Sequence, residues 1–145
     1  MKIILVEDDH MQSTPLIRII KQRIPDAKIL LFETELAFKN FLSSNTDRKP
    51  NVFIIDIMLR WTDPSPDMVK MPPEVTSGGI YLAGFRCQEA IYNIVELKNV
   101  PIILITMLDK EDLKNEIRNL PKNVTFFSKD GENHELVEKL LELNL

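Results

Sequence analysis

Five short apolar runs, at residues 3–6, 29–32, 52–55, 102–105 and 124–127, constrain the fold more than any other feature of the sequence. Each is nearly continuous rather than alternating, the pattern of strands covered on both faces of a parallel sheet. Segments with helical spacing fill the gaps. Residues 15–24 set Leu16, Ile17, Ile19, Ile20 and Ile24 against basic Arg18, Lys21 and Arg23, an amphipathic helix stopped by Pro25. Thr34 caps a second helix carrying Leu36, Ala37, Phe38, Phe41 and Leu42, which ends at the polar run 43–49. Three more helices are expected over 79–94, 109–120 and 132–143, the middle one favoured at its start by Asp109, Glu111 and Asp112. Strand and helix alternate throughout, which predicts an α/β fold: a doubly wound, five-stranded parallel sheet with right-handed crossovers.

Residues 60–78 break this rhythm. They hold Pro64, Pro66, Pro72 and Pro73 together with Trp61, Asp63, Asp67 and Lys70, and show neither helical nor strand periodicity. The expectation is a long loop inserted after the third strand. It reads either as a surface insertion, because lengthening a loop adds little closure entropy, or as a lid or partner-docking loop anchored by Trp61.

A length of 145 residues suits a single domain, 1–145. No apolar run approaches the length that crosses a bilayer, and the first residues lack the pattern of a signal peptide, so no membrane association and a cytoplasmic location are expected. The lone Cys87 cannot form an intramolecular disulfide and reads as a small buried hydrophobe on a helix. The net charge of -4, without a basic block, argues against direct nucleic-acid binding, so the expected partners are proteins.

Sites in doubly wound sheets gather at the carboxyl ends of the strands. Glu7, Asp8 and Asp9 follow the first run, Asp56 the third, Thr106 the fourth, and Ser128 and Lys129 the fifth. Carboxylates about 4 Å apart repel by on the order of 4 kcal/mol per pair at an effective dielectric of 20. A divalent cation offsets this, and hard oxygen ligands at a small site suit magnesium. Asp56 ends the strand expected at the centre of the sheet, where a carboxylate beside a metal and a phosphodonor can attack phosphorus. Lys129 is placed to neutralise the transferring phosphoryl group and Thr106 to hydrogen-bond it. Taken singly, each has a plainer reading: a helix-capping acidic run, a structural hydroxyl, a solvated lysine.

The strings Ile3-Ile4-Leu5-Val6-Glu7-Asp8-Asp9, Ile54-Ile55-Asp56-Ile57-Met58-Leu59, Ile103-Leu104-Ile105-Thr106 and Phe126-Phe127-Ser128-Lys129 resemble, in order and spacing, the response-regulator receiver domain of the CheY-like family of two-component signalling. The resemblance covers most of residues 2–59 and 78–143 and implies a flavodoxin-like (βα)5 fold. It implies that Asp56 is the phosphoacceptor, served by a histidine kinase or phosphotransfer protein. Asp8, Asp56 and the backbone carbonyl of Met58 would ligate Mg2+ directly, with Glu7 acting through water. Thr106 and Phe126 would form the switch, the ring turning inward as the threonine moves, and a downstream protein target would read the result. An aromatic at position 126 that merely packs against the fourth helix is the alternative. Three departures stand out: Arg60 and Asp130 where the family has proline, and Met107 where it has a small residue. A cis bond before a non-proline costs about 2.5–4 kcal/mol, so a trans bond is expected before Asp130.

The resemblance describes a switch rather than an enzyme, since the domain would only gain and lose its own phosphoryl group. A receiver-like binding module acting without phosphorylation is the main rival. An aspartyl-phosphate phosphatase needs a second acid two residues beyond the nucleophile, where Met58 stands. A nucleotide or flavin site is opposed by the acids after the first strand. A stand-alone receiver and a domain of a longer protein both fit the sequence.

Overall fold

The computed structural model describes residues 1–44, 49–64, 70–129 and 133–143. Strands β1 (Lys2–Val6), β2 (Lys28–Phe32), β3 (Val52–Asp56), β4 (Ile102–Thr106) and β5 (Val124–Ser128) form one parallel sheet in the order β2-β1-β3-β4-β5. They coincide with the five apolar runs to within a residue at each end. Helices α1 (His10–Arg23), α2 (Glu35–Ser43), α3 (Pro73–Gly78), α4 (Ala83–Tyr92), α5 (Lys114–Arg118) and α6 (His134–Leu143) accompany the sheet.

Successive strand residues feed opposite cores. Ile4, Val6, Phe53, Ile55 and Leu104 pack with Phe38, Cys87 and Ile91 on one face. Ile3, Leu5, Val52, Ile54 and Ile103 pack with Leu16, Ile20 and Val137 on the other. Burial on both faces explains why the runs of β1, β3 and β4 show no polar alternation, whereas the edge strands β2 and β5 are only partly buried. Register then levels the carboxyl edge: Val6 pairs with Ile55, Asp56 with Ile105, and Thr106 with Ser128. Residues one step beyond these pairs therefore arrive at the same rim.

The helices depart from expectation in ways that have local causes. The first starts at His10 rather than residue 15, because Asp9 Oδ1 accepts a hydrogen bond from the Met11 amide at 2.8 Å and caps it. Pro15 consequently lies inside α1, and it is the burial of Leu16 and Ile20 against the sheet that carries the helix past it. The expected loop 60–78 is not all loop. Pro72 and Pro73 open α3, a start that proline favours, and Gly79 ends it at φ 65°, a conformation other residues rarely adopt. Residues 65–69, with Pro66 and Asp67, lie outside the described residues, as does Asp130.

The helix expected over 79–94 is a 3₁₀ turn, Ile80–Leu82, followed by α4, and that over 109–120 is a 3₁₀ turn, Lys110–Leu113, followed by α5. The last helix begins at His134; its expected start at 132 lies outside the described residues. Thr34 caps α2 as expected, its hydroxyl accepting from the Ala37 amide at 3.1 Å. Among the described residues no helix is long and apolar enough to cross a membrane.

Two close approaches position the rim. A Cβ on Gly84 would lie 2.5 Å from Ile57 Cα and 2.6 Å from the Asp56 carbonyl oxygen, so only glycine lets α4 rest on the end of β3. The chain after β3 is tied to α2, whose first amides at Glu35 and Leu36 donate to the carbonyls of Arg60 (3.0 Å) and Trp61 (2.9 Å). Trp61 is buried, and Lys39 Nζ lies 5.5 Å from its ring centroid.

Candidate functional site

Asp56 sits buried at the carboxyl end of the central strand. Its Oδ1 accepts the Met58 amide at 3.1 Å, and its Oδ2 accepts Lys129 Nζ at 2.8 Å. The same ammonium donates to Glu7 Oε2 at 2.6 Å, while Glu7 Oε1 accepts the Asp9 amide at 3.0 Å. Lys129 is delivered by the continuation of β5: its own amide donates to the Thr106 carbonyl at 2.8 Å. Asp8 Oδ2 accepts the Arg60 amide at 3.0 Å, and Arg60 Nη2 donates to the Asp8 carbonyl at 3.4 Å. Of the opening acidic run, then, only Asp9 is the helix cap. Glu7 and Asp8 face the cleft.

Glu7, Asp8 and Asp56 each offer a carboxylate oxygen, and these oxygens lie within 4.8 Å of one another. Burial pushes the Glu7 carboxyl up to about 7, and the neighbouring Asp56 adds to this against the pull of Lys129. Burial likewise raises Asp56 above the usual carboxylate range, outweighing Lys129 and the Met58 amide. Burial opposes the charge on Lys129 as well, yet Asp56 and Glu7 together hold its pKa above the ordinary lysine value. One ammonium does not balance three crowded carboxylates. The deficit of positive charge and the all-oxygen donor set fit a hard divalent cation, and these three acids are the residues that would hold it.

The cleft around them has a volume of about 250 Å³, and Met58, Arg60 and Met107 also line it. Met107 is 57% exposed and stands at the mouth. Thr106 ends β4 fully buried, but its hydroxyl oxygen accepts the Leu108 amide at 3.0 Å and it does not line the cleft. Phe126 is half-buried on the edge strand β5, with Lys110 Nζ 5.3 Å from its ring centroid, and it lines a neighbouring groove of about 460 Å³ that Glu7 and Lys129 also line. Of the residues singled out from the sequence, Glu7, Asp8, Asp56, Met58 and Lys129 are brought together at the cleft, whereas Thr106 and Phe126 do not line it. The Arg60 amide on Asp8 was not foreseen; it is a backbone contact, which side-chain identity does not announce.

The chain has the fold of response-regulator receiver domains. It is similar to the signal receiver domain of a DNA-binding response regulator from Colwellia psychrerythraea 34H, at 20% identity and a TM-score of 0.68, covering 99% of this chain and 97% of that one. It is similar also to the signal receiver domain of a signal transduction histidine kinase from Syntrophus aciditrophicus, at 20% identity and a TM-score of 0.67, over 98% and 88% of the two chains. The manganese-bound form of response regulator Rcp1 matches at 17% identity and a TM-score of 0.60, over 99% and 91%. No protein-family model matches the sequence, and no curated protein matches it.

Proposed function

We propose that this chain is a phosphoacceptor switch of two-component signalling in which Asp56 takes a phosphoryl group from a histidine kinase or phosphotransfer protein and presents the result to a downstream protein target. The observation that carries this is the buried Asp56, ending the central strand, with Lys129 Nζ at 2.8 Å and the carboxylates of Glu7 and Asp8 beside it. A carboxylate oxygen of Asp56 attacks phosphorus; the bond from phosphorus to the donor breaks, and the donor leaves with its electron pair. Lys129 is already positioned to neutralise charge on the arriving oxygens. Mg2+, when held by Asp8, Asp56 and the Met58 carbonyl with Glu7 behind, would supply the remaining positive charge; the manganese-bound Rcp1 supports a divalent ion in this kind of fold. Thr106, freed from the Leu108 amide, and Phe126 on the next strand are the proposed switch pair. The acidic character of the chain supports a protein rather than nucleic acid as the direct target.

The test is incubation with Mg2+ and a small acyl-phosphate donor, followed by mass analysis. A single base-labile phosphoryl adduct is expected in the native chain and none in Asp56→Asn; an undiminished adduct in that variant removes Asp56 from its role. One observation favours the rival, a receiver-like binding module that does not use phosphate: the Thr106 hydroxyl is turned to Leu108 and Met107 stands over the cleft. Absence of any adduct from the native chain selects that reading.

A further inference from the structure

Between α4 and α5 lies a groove of about 700 Å³ that plays no part in the phosphoryl site. Leu82, Phe85 and Leu120, all half-buried, give it an apolar surface, and half-exposed Tyr92 extends it. Glu74 and Glu89 on one side and Glu116 on the other line the same groove. Among the described residues Arg86 is the only cation there, and its hydrogen bonds are directed mainly inward. Its Nε and Nη2 form a two-pronged pair with the fully buried Glu35 carboxylate at 2.9 and 2.7 Å, and Nη2 also donates to the Gly79 carbonyl at 2.8 Å. Glu74 lies in the field of this guanidinium, whose Nη1 has no hydrogen-bond partner among the described residues. What the groove presents outward is therefore an apolar strip under three carboxylates, of which Glu89 and Glu116 have no ion pair among the described residues.

We propose that this groove receives a basic amphipathic helical segment of a partner protein, its apolar side on Phe85, Leu82 and Leu120 and its lysines or arginines against Glu74, Glu89 and Glu116. Charge selects the occupant. Carboxylates repel the phosphates of nucleic acid and anionic lipid alike, and they oppose a second copy of a chain whose net charge is -4. A helix laid in an apolar groove reads such a surface through residues one turn apart, while opposite charge at the rim sets orientation and speeds encounter. This docking does not depend on phosphorylation of Asp56, so the Asp56→Asn chain serves equally well in the experiment.

The test is amide NMR of the full chain titrated with a synthetic amphipathic helical peptide of leucine and lysine, beside a leucine and glutamate peptide of the same pattern. The leucine–lysine peptide is expected to shift amides at Leu82, Phe85, Glu89, Glu116 and Leu120. Its affinity should fall about tenfold or more in the Glu89→Lys, Glu116→Lys double variant, and by less in the matching Glu→Gln double variant, which guards against misfolding from charge reversal. Shifts that are absent or centred elsewhere, equal binding of the leucine–glutamate peptide, or unchanged affinity in both variants would each overturn the proposal. So would a dimer of the chain whose groove amides are already covered.

Discussion

Lys129 holds two carboxylates at once, and this one side chain sets the resting state of the cleft. Glu7 meets the ammonium directly, which is what burial of an acid demands when a cation is within reach. Met107 is the residue at which access, instead of charge, can be tested. It lines the cleft mouth and is mostly solvent-facing, so Met107→Ala is expected to speed phosphorylation by small acyl-phosphate donors several-fold without changing the fold, read as the rate of adduct formation. An unchanged rate would show that the thioether leaves the path open. Why Glu7, Asp8, Asp56 and Lys129 were legible in the sequence is geometric: a parallel sheet in register levels its carboxyl edge, so residues one or two steps past the apolar runs arrive at one rim. What Thr106 and Arg60 do was not legible. A hydroxyl bonded to an amide two residues on and a loop amide on Asp8 are set by turn conformation, which residue identity leaves open.

Elements are joined away from the cleft by a cluster that sequence pattern gave no sign of. Glu35 in the first turn of α2 is fully buried against Arg86 of α4, 51 positions away, with Lys39 Nζ at 3.0 Å on Oε2, the oxygen that Arg86 Nε also reaches. The Arg86 pKa is held above its ordinary value by the hydrogen bonds to Glu35, so the guanidinium stays charged. Removing one partner of a buried pair leaves an uncompensated charge, and Glu35→Ala is expected to destabilise the chain by about 3–5 kcal/mol in urea unfolding. A loss below about 1 kcal/mol would mean that water reaches Arg86 easily. The three central strands were readable because both faces are buried, and the edge strands because their runs stay apolar though only partly buried, whereas helix limits were not. Pro15 and Pro73 look alike as local signals, yet one lies within α1 and the other opens α3, because capping by Asp9 and packing against the sheet decide the outcome.

For the whole molecule, an ion held by the three clustered acids would couple binding to folding. A ligand that binds only the folded state stabilises it by about 2.7 kcal/mol at ~100 times its dissociation constant. Saturating Mg2+ is therefore expected to raise the melting temperature by several degrees, and the Asp8→Asn, Asp56→Asn double variant to lose that response. An equal rise in both would place the ion elsewhere. The carbonyls of Arg60 and Trp61 that receive the first amides of α2 have a wider consequence. The stretch leaving the acidic cleft and the opening turn of that helix share these bonds, so a shift of either would leave N–H groups of the helix and carbonyls of the stretch unpaired. A displacement of that stretch would therefore be felt at α2, toward the flank of the sheet opposite the one that bears Phe126.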